Sequence, residues 1–208
     1  MIYLLEPIAP PKTPSVLKNI EQILEAQKRR DPSYEGHIQR ACFYALEFGR
    51  WQGLPEKELR QLYLGTLFHD IGKVMIAAEI INKPGPLSSK EREIMLTHPA
   101  LGENICLRLG PFEEIASLVA CHHERPNGTG YPKGLKGEEI SPLARVLAII
   151  EIYDALRSER SYKKAFSLEE SLGILYRDAD LGNLDGGLVR DFAQLAEQLN
   201  GQHPNLVP

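Results

Sequence analysis

The chain has 208 residues, of which 43% are hydrophobic and 25% charged, with a formal net charge of −4. That length and apolar content build a folded core rather than a disordered chain. The lack of a Lys/Arg-rich stripe excludes a long nucleic-acid duplex as partner, although a small phosphorylated ligand needs only a few local cations.

No apolar run approaches the roughly 20 residues of a membrane span. The apolar start lacks a charged n-region, so a signal peptide is not expected. Cys42, Cys106 and Cys121 are widely spaced and form no CxxC pair. They read as buried, reduced thiols of a cytoplasmic protein, not as a zinc site or a disulfide frame.

Residues 1–14 carry four prolines and read as an extended lead-in. From there the period is helical. "SVLKNIEQILEAQKRR" starts at Ser15, a candidate N-cap. "SYEGHIQRACFYALEFGRW" is a second helix, and "PEKELRQLYLGTLFHDIG" a third, with Pro55 in its first turn. A single helix is expected over "SSKEREIMLTHPALGENICLRL", residues 88–109, followed by "FEEIASLVACHH". A loop spans 124–141. "PLARVLAIIEIYDALRS" is mostly apolar and therefore central. "SLEESLGILYRDA" opens with a capping box, Ser167 and Glu170, and "DGGLVRDFAQLAEQL" closes the domain. The expectation is one all-α domain of about eight helices over residues 15–200, with a polar tail over 201–208 that includes His203.

Two pairs stand out. His69 and Asp70 end an apolar helix, and His122 and His123 end another. Burying such groups without partners costs several kcal/mol, about the scale of a lost ion-pair partner. A divalent cation is one compensation. Neighbours on a helix point about 100° apart, so they rarely chelate one ion, but an aspartate can bridge two. Capping of helix ends explains one pair adequately and both pairs poorly. The donors are nitrogen and oxygen with no thiolate, which favours Fe, Mn or Zn. Two close cations suit in-line displacement at phosphorus. Lys73 can bring a further cation to a phosphate, or stand as an ordinary surface lysine. The glycine-rich "NGTGYPKGLKGEE" follows no strand and lacks GK[ST], so it is neither a dinucleotide fingerprint nor a P-loop. It permits tight turns beside a ligand, or is a surface connector.

With these residues laid out, the chain resembles the HD-GYP family of the HD phosphohydrolase superfamily over roughly residues 30–200. "HDIGK" at 69–73 and "HHERPNGTGYPKGLKGEEI" at 122–140 carry the resemblance. "INKPG", "THPALG", "YDALRSERSYKKA" and the His37-x-x-Arg40 spacing support it. The resemblance implies a helical domain whose metal centre hydrolyses cyclic di-GMP to the linear dinucleotide and sometimes to GMP, by attack of a metal-bridging hydroxide. The implied metal ligands are His37, His69, Asp70, His98, His122, His123 and Glu151. Asp70 and Lys73 are the implied catalytic residues, with Lys73 on the phosphate. Arg125, Gly128, Gly130 and Tyr131 are implied to line the substrate. Partner proteins are expected to supply sensory input.

Two positions depart from the family pattern. Glu151 stands where an aspartate is usual, leaving Asp154, one turn on, as a supporting residue. Ser33 stands where three-metal members carry glutamate, and Glu35 is out of register for that role. Two divalent ions are therefore expected. The alternatives are a cyclic-dinucleotide receptor without turnover and a phosphohydrolase for another nucleotide.

Overall fold

The dominance of the 3.6-residue period leaves no room for a sheet, and the computed structural model is all-α. It describes residues 14–30, 34–110, 112–159 and 164–199. The lead-in up to residue 13, the tail with His203, and Ser33 lie outside the described residues. In chain order the helices are α1 (Pro14–Arg30), α2 (Tyr34–Trp51), α3 (Glu56–Phe68), α4 (Ala78–Ile81), α5 (Ser89–Met95), α6 (His98–Arg108), α7 (Ala116–Cys121), α8 (Pro142–Arg157), α9 (Leu168–Asp180) and α10 (Gly186–Gln198). A 3-10 turn over Ile71–Met75 joins α3 to α4. Among the described residues the only extended pairing is an isolated bridge between Asn127 and Lys136.

The segmentation differs from expectation in particular places. The single helix expected over 88–109 is two, α5 and α6. Pro99 is the reason: it has no N–H to give the Met95 carbonyl, so the helical ladder is interrupted there. The short α4 falls in a stretch expected to hold no helix. Together these make ten α-helical segments among the described residues instead of about eight. Ser15 lies inside α1, which begins at Pro14, so it does not precede the helix as an N-cap. The capping box at Ser167 and Glu170 is present as expected, and a second one starts α5 at Ser88 and Glu91.

α2 is buried on two faces. Ile38, Cys42 and Leu46, each four residues apart, join one apolar cluster with Tyr63, Leu67 and Phe68 of α3 and Val119 of α7. Ala41, Tyr44 and Phe48 join a second cluster with Leu147, Ile150 and Tyr153 of α8 and Phe192 of α10. Phe192 meets Phe48 and Tyr153 edge-on, with ring centroids 5.1 and 4.9 Å away. α8 is central, as its apolar run implies. Helices α2, α3 and α7 supply both clusters, and α2, the ends of α3 and α7, the start of α6, and α8 present the chemistry described next.

Gly72 fixes how the Ile71–Met75 turn meets α6. A Cβ there would strike the His98 carbonyl oxygen and stand 2.6 Å from the Gly102 amide nitrogen, and neither backbone atom can swing aside. Gly72→Ala is expected to lower the unfolding free energy by ~3 kcal/mol, the upper range for overpacking. Urea titration checks it, and an unchanged midpoint would contradict this packing.

Candidate metal centre

The last carbonyls of a helix have no intrahelical partner. His69 follows α3, and its Nδ1 lies 2.7 Å from the Thr66 carbonyl oxygen. His122 follows α7, and its Nδ1 lies 2.7 Å from the Val119 oxygen. His98 opens α6, and its Nδ1 lies 2.8 Å from the Met95 oxygen that Pro99 cannot reach. A carbonyl only accepts, so Nδ1 carries the proton in each ring and Nε2 is left as a lone-pair donor. Local helix ends thus aim three imidazoles.

Those nitrogens converge in two groups. His37, His69 and Glu151 place one ligand atom each within 4.8 Å of one another, and so do His98, His122 and His123. Glu151 Oε1 is 3.4 Å from His37 Nε2, and its Oε2 is 3.3 Å from His69 Nε2. His98 and His122 bring their Nε2 atoms to 3.2 Å. Asp70 stands between the groups, Oδ2 3.3 Å from His69 Nε2 and Oδ1 3.2 Å from His98 Nε2. The structure therefore brings together all seven residues expected as ligands. The longer side chain of Glu151 reaches both of its histidines.

The centre is deeply buried, with His69 and His122 fully enclosed. His69 Nε2, Asp70 Oδ1 and Glu151 Oε1 are buried and make no well-aligned hydrogen bond, despite neighbours at 3.2–3.4 Å. Buried polar atoms are normally satisfied. Unsatisfied nitrogen and oxygen ligand atoms converging at one point are what a cation position requires, so this donor set fits divalent ions.

The two groups differ in charge. Burial opposes a proton on His37, but Glu151 and Asp154 raise its pKa to about 9. His69 is likewise buried, yet Glu151 and Asp70 raise it well above its ordinary value. Burial would push Glu151 and Asp70 up. The His69 and His37 rings hold Glu151 low, while Lys73 and His69 hold Asp70 low. In the other group burial, reinforced by neighbouring rings, lowers His122 well below its ordinary value and takes His123 down to about 3. One group is rich in carboxylate and the other is built of imidazoles alone.

Around the centre, Lys73 Nζ donates to Asp70 Oδ2 at 2.5 Å. Tyr131 lies flat on His123, with ring centroids 4.7 Å apart. Arg125 has its Nη1 buried without a hydrogen bond, and burial lowers its pKa. Gly128 has φ +81°, and a Cβ on Gly130 would enter the Glu124–Arg125 backbone. The loop is therefore folded against the centre and is not a loose surface connector. Glu35 pairs with Lys28 at 2.5 Å. Asp154 does not face the groups: it accepts from His37 Nδ1 at 2.7 Å and from Arg40.

Glu124 has a role that the sequence reading missed. It is 1% exposed, and its two oxygens accept from the amides of Lys133, at 2.6 Å, and Leu135, at 2.9 Å. The available signal was a carboxylate between a histidine pair ending an apolar helix and a long loop, where amide donors need a partner.

A family model described as "HD domain" matches residues 16–188. A 3'3'-cGAMP-specific phosphodiesterase 3 of Vibrio cholerae is 35% identical over 146 residues, covering 70% of this chain and 32% of that protein. The cyclic di-GMP phosphodiesterase response regulator RpfG of Xanthomonas campestris is 35% identical over 192 residues, covering 89% of this chain and 50% of that protein. The chain thus spans about a third to a half of the length of these relatives. The solved HD domain of the L. monocytogenes phosphodiesterase PgpH, in complex with cyclic-di-AMP, shares the fold with a TM-score of 0.65 at 16% identity, over 90% of this chain and 99% of that one. The matched span contains every residue of the centre, and the chain belongs to the HD domain family.

Proposed function

We propose that this chain is a metal-dependent phosphodiesterase that hydrolyses cyclic di-GMP to the linear dinucleotide, and on to GMP where the product is re-bound. The observation that carries the reading is the pair of ligand groups joined by Asp70, with three unsatisfied ligand atoms at their meeting point. His37, His69 and Glu151 would hold one divalent ion, His98, His122 and His123 the other, and Asp70 both. Fe, Mn or Zn suits these nitrogen and oxygen donors. When bound, such ions supply an activated water and neutralise charge on a phosphodiester.

The chain's own residues do the rest. Lys73 is 30% exposed beside Asp70, at the edge from which it can turn to a phosphate oxygen. Arg125 brings a guanidinium with an unused nitrogen, a group suited to a phosphate or a guanine edge. Tyr131, held flat by His123, forms the wall against which a base can lie, and Gly128 and Gly130 keep that wall thin. Relatives named for cyclic di-GMP and 3'3'-cGAMP hydrolysis support a cyclic dinucleotide as the substrate class. The buried free thiols of Cys42, Cys106 and Cys121 accord with a cytoplasmic setting. No described helix is long and apolar enough to cross a membrane.

The test is product analysis. Protein purified without oxygen and supplied with Mn(II) or Fe(II) is offered cyclic di-GMP, 3'3'-cGAMP and cyclic di-AMP, and the nucleotides are separated by chromatography. The expected result is linear product from cyclic di-GMP, lost on chelation. Saturable binding with intact substrate would replace the enzyme by a receptor, and cleavage of another member alone would change the substrate.

A further inference from the structure

We infer that Asp154, gripped by Arg40, is a positioning residue that sets the His37 ring and through it one of the two cation positions. Its loss then weakens the His37–His69–Glu151 position and spares the His98–His122–His123 one. The inference rests on the reading of those two groups as cation positions.

His37 differs from the other histidines of the centre by its place in the chain. His69, His98 and His122 sit at helix ends, where a free carbonyl three residues back takes the Nδ1 proton. His37 lies in the fourth place of α2, where the helix's own amides use the preceding carbonyls. No main-chain acceptor is available, and the ring takes a side-chain carboxylate: Asp154 Oδ2, 2.7 Å from Nδ1.

Helical register makes this possible. His37 and Arg40 on α2, and Glu151 and Asp154 on α8, are each three residues apart and share a face. In front, His37 Nε2 meets Glu151 at 3.4 Å. Behind, Arg40 Nε donates to Asp154 Oδ1 at 2.5 Å and its Nη2 to Oδ2 at 3.1 Å. The same Nη2 donates to Ser158 Oγ at 2.6 Å, which fixes the guanidinium in turn. Asp154 is 2% exposed and its oxygens are occupied by these donors, so it supports the centre without entering it. The Asp154 carboxylate on Nδ1 keeps the His37 ring from turning and leaves Nε2 facing Glu151. A ligating histidine backed by a carboxylate is fixed in tautomer and more basic, and losing that backing weakens metal affinity by about 10–100-fold. No carboxylate backs Nδ1 of His69, His98 or His122, so only one position depends on Asp154.

The experiment measures Mn(II) content and affinity of the full chain, with electron paramagnetic resonance of the bound ions. The wild type is expected to bind two ions with a spin-coupled signal. Asp154→Asn is expected to keep one, with the second weakened by about 10–100-fold and the signal changed to that of an isolated ion. Adding His123→Ala should then remove the remaining ion. Because Asp154→Asn leaves the Arg40 charge without its partner, the double variant Arg40→Met/Asp154→Asn removes both charges and is expected to fold while still lacking one ion. Two ions at wild-type affinity in either folded variant would overturn the inference, and so would loss of both ions from the folded double variant. A wild type that binds no Mn(II), Fe(II) or Zn(II) would instead remove the reading of the centre itself.

Discussion

Asp70→Asn is expected to lower the turnover of cyclic di-GMP by about 10³-fold, the scale seen when a group stabilising transition-state charge is removed, and to weaken metal binding at both positions. Asp70 is the residue within reach of both groups, 3.3 Å from His69 on one side and 3.2 Å from His98 on the other. Its carboxylate is held ionised against burial by Lys73 and His69. An amide keeps the volume, so the fold should survive. It carries no charge, and its NH₂ can only donate, towards a nitrogen already meant to supply a lone pair. Metal content, turnover and thermal midpoint measured on one preparation separate these effects. Turnover within tenfold of wild type, with full metal content, would show that Asp70 does not join the two positions.

The second large effect is expected at Glu124. Glu124→Ala leaves the Lys133 and Leu135 amides without their acceptors. Each hydrogen bond to a charged group contributes about 1.5–3 kcal/mol, and a loss of ~3 kcal/mol in unfolding free energy is expected after relaxation. Other ties of the loop include the Tyr131 amide on the His123 carbonyl, at 3.2 Å, Asn127 on the α9–α10 turn, through the Gly182 carbonyl at 2.9 Å, and Lys133 Nζ on Glu103 Oε1 of α6, at 3.3 Å. They do not replace a carboxylate at the loop's middle. Trypsin should therefore cut at the exposed Lys133 and Lys136 faster than in the wild type. Metal content should hold, because His122 and His123 follow directly on the buried end of α7, while turnover falls as Tyr131 and Arg125 lose their places. Glu124→Gln keeps one acceptor and should lie between. Loss of the metals with an intact loop would reverse this assignment of roles.

Both effects bear on what could be read in advance. The helices were legible where propensity and capping agree, as at Ser167 and Glu170, because those interactions lie within one turn. The adjacent pairs His69–Asp70 and His122–His123 were legible as candidate ligands because a polar pair ending an apolar helix must find a partner. Pro99 was visible too, but its consequence for His98, a carbonyl released at Met95, needed the actual break between α5 and α6.

Composition and spacing determined by themselves that the chain is helical, that the pairs His69–Asp70 and His122–His123 are candidate cation ligands, and that a glycine-rich loop follows the second pair. These follow from local periodicity and from the chemistry of residue types. Only the tertiary structure decided the division of labour among the acids. Glu151 and Asp154 are one turn apart on the same face of α8; the family resemblance implied Glu151 as ligand and Asp154 as support, but local spacing offers no physical reason for one to face the centre and the other to stand behind His37. The seating of α8 against α2 chooses, because it brings Arg40 opposite Asp154 and leaves Glu151 opposite the histidines. Glu124, next to two ligands in the chain, is turned to the loop because two amides nine and eleven residues on come back to meet it. Such contacts join residues distant in sequence, and their choice of partner depends on how helices pack, which no local pattern encodes.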